Sequence, residues 1–202
     1  MIAPFESRFR QSGWRSAVCV LPAESAPQDL EQAVRAAMDD LGPLRAAVLV
    51  ASQAPDGGLL EAGRECLNET LATNVGMLSW VALLAAQRML EQRSQGSIVF
   101  VELSLSDGSQ DEGRLSAAGA ASGAALESLS RSMCSELGPH GIRVNAVRAQ
   151  TRRQHEPLPP IPQGHPVSMK CVAEVTAFLA GDEASYMSGV VVPVDGGVGV
   201  AR

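Results

Sequence analysis

Short apolar runs alternate along the chain with longer segments whose apolar positions repeat at helical spacing. The runs at 16–21, 46–51, 97–102, 142–147 and 189–194 are largely apolar and show no strict polar alternation. Strands buried on both faces have that character, whereas strands with one wet face alternate. Between the runs, 28–41, 61–92, 116–137 and 172–180 carry helical patterns, and 61–92 is long enough for two helices. Strand–helix alternation of this kind predicts an α/β fold, a doubly wound, Rossmann-like parallel sheet. Residues 151–168 contain five prolines, so a surface loop is expected there. No repeat or interdomain linker interrupts the pattern, and 1–202 reads as a single domain.

Two of the helical segments ask for more than a sheet to cover. From Val75 to Ala86 the chain is apolar almost all round, through Met77, Leu78, Trp80, Val81, Leu83 and Leu84. A helix lying on a sheet needs one apolar stripe, so a second buried face is predicted. Residues 117–125 consist only of Ala, Gly and Ser, followed by a stripe at Leu126, Leu129, Met133 and Leu137. Such small residues let another backbone approach closely. The helices at 74–93 and 115–137 are therefore expected to build a subunit interface.

Composition narrows the functional classes. The 202 residues are 46% hydrophobic and 19% charged, enough to bury a core without metals or disulfides. Aromatics make up 3% and the formal charge is −6, which argues against base stacking, nucleic acid or an anionic membrane as partner. The start of the chain lacks a signal-peptide layout, and the apolar stretch at 75–86 is short for a membrane span. A cytoplasmic setting is expected. Cys19, Cys66, Cys134 and Cys171 are scattered and form no Cys-x-x-Cys, so they read as small buried thiols. His140, His155 and His165 make no cluster of ligand spacing, and no metal site is expected.

Other chemistry-bearing residues have plain structural accounts. Arg152 and Arg153 with His155 could hold a phosphate or carboxylate, since guanidinium forks suit both. A solvated loop edge is the plainer account of them, since exposed charges seldom do anything specific. Asp107, Asp111 and Glu112 lie in a Ser/Gly-rich stretch with no second cluster and read as a solvated loop.

Three longer segments carry a resemblance. "GSIVFVELSLS" (Gly96–Ser106), "AALESLSRSMCSELGPHGIRVNAV" (124–147) and "VAEVTAFLAGDEASYMSGVVVPVDGG" (172–197) resemble, in order and spacing, the short-chain dehydrogenase/reductase family. The likeness runs from about Val18 to the C-terminus. It implies the family's NAD(P)-dependent oxidoreductase fold, with 16–21 standing where the family has its third strand.

The departures from the family pattern bear on activity. Aligned on "AALESL", the family's catalytic tyrosine and lysine positions are Gly119 and Gly123. The tyrosine passes a proton to the substrate oxygen, and the ammonium one helical turn away lowers its pKa; glycine does neither. The chain's one tyrosine, Tyr186, and one lysine, Lys170, are not one turn apart. Asn74 matches the family asparagine at the start of the long helix. Ser106, thirteen positions before Gly119, matches the substrate-orienting serine. Without a proton path both read as vestigial, a helix start and a turn cap.

The cofactor motif departs as well. No G-x-x-x-G-x-G turn precedes Cys19, where Gly13 is the only glycine, and a βαβ unit takes about 30 residues. The family's Asn-Asn-Ala-Gly reads Ala51-Ser52-Gln53-Ala54. The resemblance thus implies a member whose dinucleotide-binding part is truncated, with no catalytic or cofactor-binding residue of its own. It further implies a catalytically active paralogue as partner, carrying NAD(P), joined through the two helices and the C-terminal strand into a hetero-oligomer. Pseudo-subunits of this kind are known in the family, one being in the heteromeric hydroxyacyl-CoA dehydrogenase of anaerobic benzylsuccinate β-oxidation, which sets one expectation for the partner's chemistry. The other expectation is a stand-alone ligand-binding sensor or scaffold on the same fold.

Overall fold

The computed structural model describes residues 2–19, 27–51, 59–106, 117–152, 161–165 and 167–199. Four parallel strands form one sheet in the order β1 (Ala46–Val50), β2 (Gly96–Ser106), β3 (Ile142–Arg152) and β4 (Val191–Val194). The two central strands pair along their full length, from Gly96 opposite Ile142 to Ser106 opposite Arg152. Ile98, Val99, Phe100 and Val101 are all completely buried, which is why this run shows no polar alternation.

Period-two geometry divides the core into two layers. Ile98, Phe100, Ile142, Val144 and Ala146 face one side of the sheet. There they meet α2 (Pro27–Leu41), α4 (Leu78–Glu91) and α5 (Ala117–Leu137). Val99, Val101, Leu103, Val147 and Ala149 face the other side, covered by α1 (Ala3–Gln11) and α6 (Met169–Ala180). The two-sided sheet expected from the sequence is present.

The differences have identifiable causes. No strand forms over residues 16–19, and 20–21 lie outside the described residues. That stretch is tied to α2 instead: Arg15 donates to the Asp40 carbonyl at 2.8 Å, and the Cys19 thiol lies 4.0 Å from the Ala33 carbonyl. A strand needs a ladder partner, and this one has none among the described strands. Helix α1 was not expected, although Pro4 in its first turn and Phe5 and Phe9 four apart are helix signals. Both phenylalanines are buried against the α6 side of the core, and Arg8 pairs with Glu174 of α6.

The segment expected as two helices is α3 (Leu59–Leu71), six residues of π-helix (Ala72–Met77) and α4 in unbroken succession. Gly63, at φ 69° and ψ 178°, kinks α3. The run Gly63–Glu91 is long and apolar enough to cross a membrane by length and composition, contrary to the shorter apolar span read from sequence. In this fold Leu78, Val81, Ala82, Ala85 and Met89 of that run are spent on the core. The central strands also run further than their apolar runs, β2 to Ser106 and β3 to Arg152, because they pair with each other throughout. The last strand begins at Val191 rather than 189, where Gly189 turns with φ 76°. None of the four cysteines is buried: Cys19 and Cys171 are exposed, Cys66 and Cys134 half-buried.

Candidate functional site

In an open parallel sheet the carboxyl ends of the strands are where ligands bind. Here that pole is formed by the ends of β2 and β3, the π segment and the first turns of α5. Asn74 is 2% exposed and sits inside the π segment, in the middle of a helical run rather than at its start. Widened turns of this type are frequent at functional sites. Ser106 ends β2 opposite Arg152, the last residue of β3. Arg153 and His155 lie outside the described residues, as do Asp107, Asp111 and Glu112.

Gly119 and Gly123 lie one turn apart on α5, with Gly123 buried. Gly123 faces Glu102 of β2, and a Cβ added there would overlap the Glu102 carboxylate. The residues on that side of β2, Ile98 and Phe100, are apolar, and Glu102 continues their face. Sequence reasoning passed over Glu102. The signal was a carboxylate following four apolar residues in "IVFVE". A side chain cannot enter at position 123 unless the Glu102 carboxylate moves away. Directly across from Glu102 on the neighbouring strand, Arg148 of β3 pairs with Glu127 of α5 at 2.9 Å.

Tyr186 and Lys170 are kept apart by the length of α6. Lys170 lies in its first turn, and Tyr186 follows its last turn, fully exposed. Twelve residues of helix span about 18 Å. The two side chains cannot replace a tyrosine and lysine one turn apart. Among the described residues no glycine-rich turn joins a strand to a following helix. Gly13, at φ 76°, follows α1 and leads into irregular chain. The described residues therefore do not fit a dinucleotide pyrophosphate, which needs backbone N–H groups and a helix N-terminus converging after a strand. No group of three or more His, Cys, Asp or Glu among them could hold a metal.

The opposite pole, at the amino ends of the strands, is densely bonded. Asn145 is fully buried; its amide donates to the Met187 carbonyl at 2.9 Å and its oxygen accepts from Val190 N–H at 3.2 Å. Arg143 donates to the carbonyls of Leu179 and Gly181, each at 2.8 Å, closing the C-terminus of α6. Burial pushes the Arg143 guanidinium below its ordinary value, and Asp182 nearby partly opposes that. Ser97 Oγ donates to the same Leu179 carbonyl at 3.0 Å.

Residues 17–199 match a family model described as "Enoyl-(Acyl carrier protein) reductase". The chain is 33% identical over 161 residues to "Short-chain dehydrogenase reductase 3a" of Arabidopsis thaliana, covering 72% of this chain and 62% of that protein. It is 30% identical over 181 residues to "L-rhamnose 1-dehydrogenase (NAD(P)(+))" of Azotobacter vinelandii, covering 83% and 70%. The solved structure of the TT0495 protein from Thermus thermophilus superposes with a TM-score of 0.83 at 26% identity. The match covers 98% of this chain and 94% of that one. This chain thus spans less than two thirds of the Arabidopsis relative but nearly the whole of the Thermus structure. By the family match and the shared parallel sheet, the chain belongs to the short-chain dehydrogenase/reductase family.

Proposed function

We propose that this chain is a non-catalytic subunit of a hetero-oligomeric short-chain dehydrogenase. A catalytically active paralogue supplies NAD(P) and the oxidation of an alcohol or hydroxyacyl substrate. The observation that carries the reading is the Glu102–Gly123 contact. At the position matching the family lysine there is no side chain, and the adjoining volume holds a carboxylate. Gly119 supplies no phenol for the proton step.

The surface of the paired helices supports the partner half of the reading. Trp80, Leu83 and Leu90 of α4 are 41%, 46% and 38% exposed, three and seven residues apart on one face. Ala120, Ala121 and Ala124 form an exposed small-residue face on α5. Apolar surface of this kind, away from the sheet, suits docking against helices of a second subunit.

Affinity capture of the tagged chain from its native cell, followed by native mass measurement, tests the proposal. The expected result is a full-length family member at equal stoichiometry, with dehydrogenase activity in the complex. The isolated chain is expected to leave NADH fluorescence unchanged and to reduce no NAD(P). Recovery of a homo-oligomer alone, or turnover by the isolated chain, overturns it.

A further inference from the structure

At the amino ends of the strands, the pole opposite Gly119 and Gly123, the fold carries an open cleft of about 710 Å³. Its floor is the first residue of each of three strands, Ala46, Gly96 and Ile142. Gly13, Trp14 and Arg15 contribute to its wall, and so do Asp182, Ser185 and Tyr186. The volume is in the range of small-molecule sites, roughly 300–1,000 Å³.

The charge of this cleft opposes that of the chain. Arg15, Arg45 and Arg143 line it together with one carboxylate, Asp182, whereas the whole chain carries −6. The arginines are positioned but not saturated. Arg143 is fixed by three bonds to carbonyls, those of Leu179 and Gly181 at 2.8 Å and of Met187 at 3.4 Å, which spend three of its five donors and neutralise none of its charge. Arg15 spends one donor on the Asp40 carbonyl. Arg45 reaches Asp182 at 3.5 Å, and that carboxylate is 94% exposed, so the pair is weak. A guanidinium has five N–H donors in a planar fork suited to phosphate and carboxylate oxygens.

We propose that this cleft binds a small organic anion, its phosphate or carboxylate held by Arg45 and Arg143 in place of Asp182, with Arg15 also lining it. Pre-placed arginines lower the ordering cost of binding. Trp14 and Tyr186 add flat apolar surface for the body of the ligand. The site stands apart from the carboxyl pole, so it holds whether or not the chain has a catalytic partner.

Inorganic phosphate and succinate are the probes, each titrated calorimetrically against the purified chain with potassium chloride matched for ionic strength. Phosphate or succinate is expected to bind saturably and raise Tm, and chloride to do neither. Arg45→Gln is expected to weaken binding by about tenfold, the equivalent of one charge-assisted contact. Because Arg45 is exposed, its unfolding curve without ligand should match the native one. Asp182→Asn removes the competing carboxylate and is expected to tighten binding by about threefold. Equal effects of chloride, binding unaffected by Arg45→Gln, or weakening by Asp182→Asn would each overturn the proposal.

Discussion

At the amino pole of the sheet, Asn145 has no exposed surface and both functions of its amide are bonded to backbone. Beside it Arg143 and Ser97 converge on the Leu179 carbonyl. At the carboxyl pole, α5 passes the same pair of central strands with no side chain at Gly119 or Gly123, and Glu102 lies against the second of these. The two poles share strands β2 and β3, so one folding process builds both. Burial makes a polar group costly unless it is partnered, and the amino pole meets that demand with specific side chains. Nothing in folding demands a tyrosine and a lysine on α5. A chain can therefore keep the fold while the chemistry of the other pole lapses, because function resides in sites rather than in the fold.

The largest test of that contrast is Asn145→Leu, close in size and without polar atoms. It leaves the Met187 carbonyl and Val190 N–H without their partner. We expect a loss of about 2–3 kcal/mol in urea unfolding, with the m-value unchanged. A loss under about 0.5 kcal/mol would mean that the network contributes little and that the two poles do not differ in this respect.

Gly123→Ala sharpens the other half. In an unobstructed helix interior this change stabilises by about 0.5–1 kcal/mol, through propensity and unfolded-state entropy. Here the new Cβ must displace the Glu102 carboxylate, the end of a flexible side chain, which offsets part of the gain. In a Glu102→Ala background the full gain should return. The double-mutant cycle is expected to show a coupling of up to about 1 kcal/mol. Additive substitutions would show that Glu102 moves aside freely and that nothing prevents a side chain at position 123.

How far the sequence disclosed all this follows from which effects are local. Continuous apolar runs identified β1 to β4 and the parallel sheet, because burial on both faces leaves a one-dimensional record. Residues 16–19 failed as a strand because pairing depends on a partner edge, which no local pattern encodes. Phe5 and Phe9 of α1 were readable as a helical pair and went unread. Gly119 and Gly123 were found by aligning "AALESL", yet Glu102 stands twenty-one positions from Gly123 in sequence, and only the crossing of β2 and α5 brings the two together. The arginine-lined cleft was equally hidden, since Arg15, Arg45 and Arg143 come from three distant segments.

Helix α6 joins the poles and allows a comparison within one element. Its amino end is capped by Ser168, whose hydroxyl accepts from Cys171 N–H at 3.2 Å, while Arg143 and Ser97 hold its far end. Ser168 is exposed, so water can replace the lost bond. Ser168→Ala is expected to cost about 1 kcal/mol, the usual worth of a cap and less than Asn145→Leu. A cost equal to that of Asn145→Leu would place the two ends of α6 on the same footing.

The smallest effect on the chain itself is expected at Leu83, which is 46% exposed on the outward face of α4. With half its surface already in water, Leu83→Gln should cost under about 1 kcal/mol in the isolated chain. In the assembly the same residue would sit at the centre of a helix pair, where truncating an apolar anchor weakens association by about tenfold or more. Sedimentation of the purified complex should thus show dissociation at concentrations where the native complex is intact, with the unfolding curve of the separate chain almost unmoved. That separation of association from stability is what a face kept for docking requires. A complex indifferent to Leu83→Gln would place the partner elsewhere, and the docking face proposed on α4 would be lost.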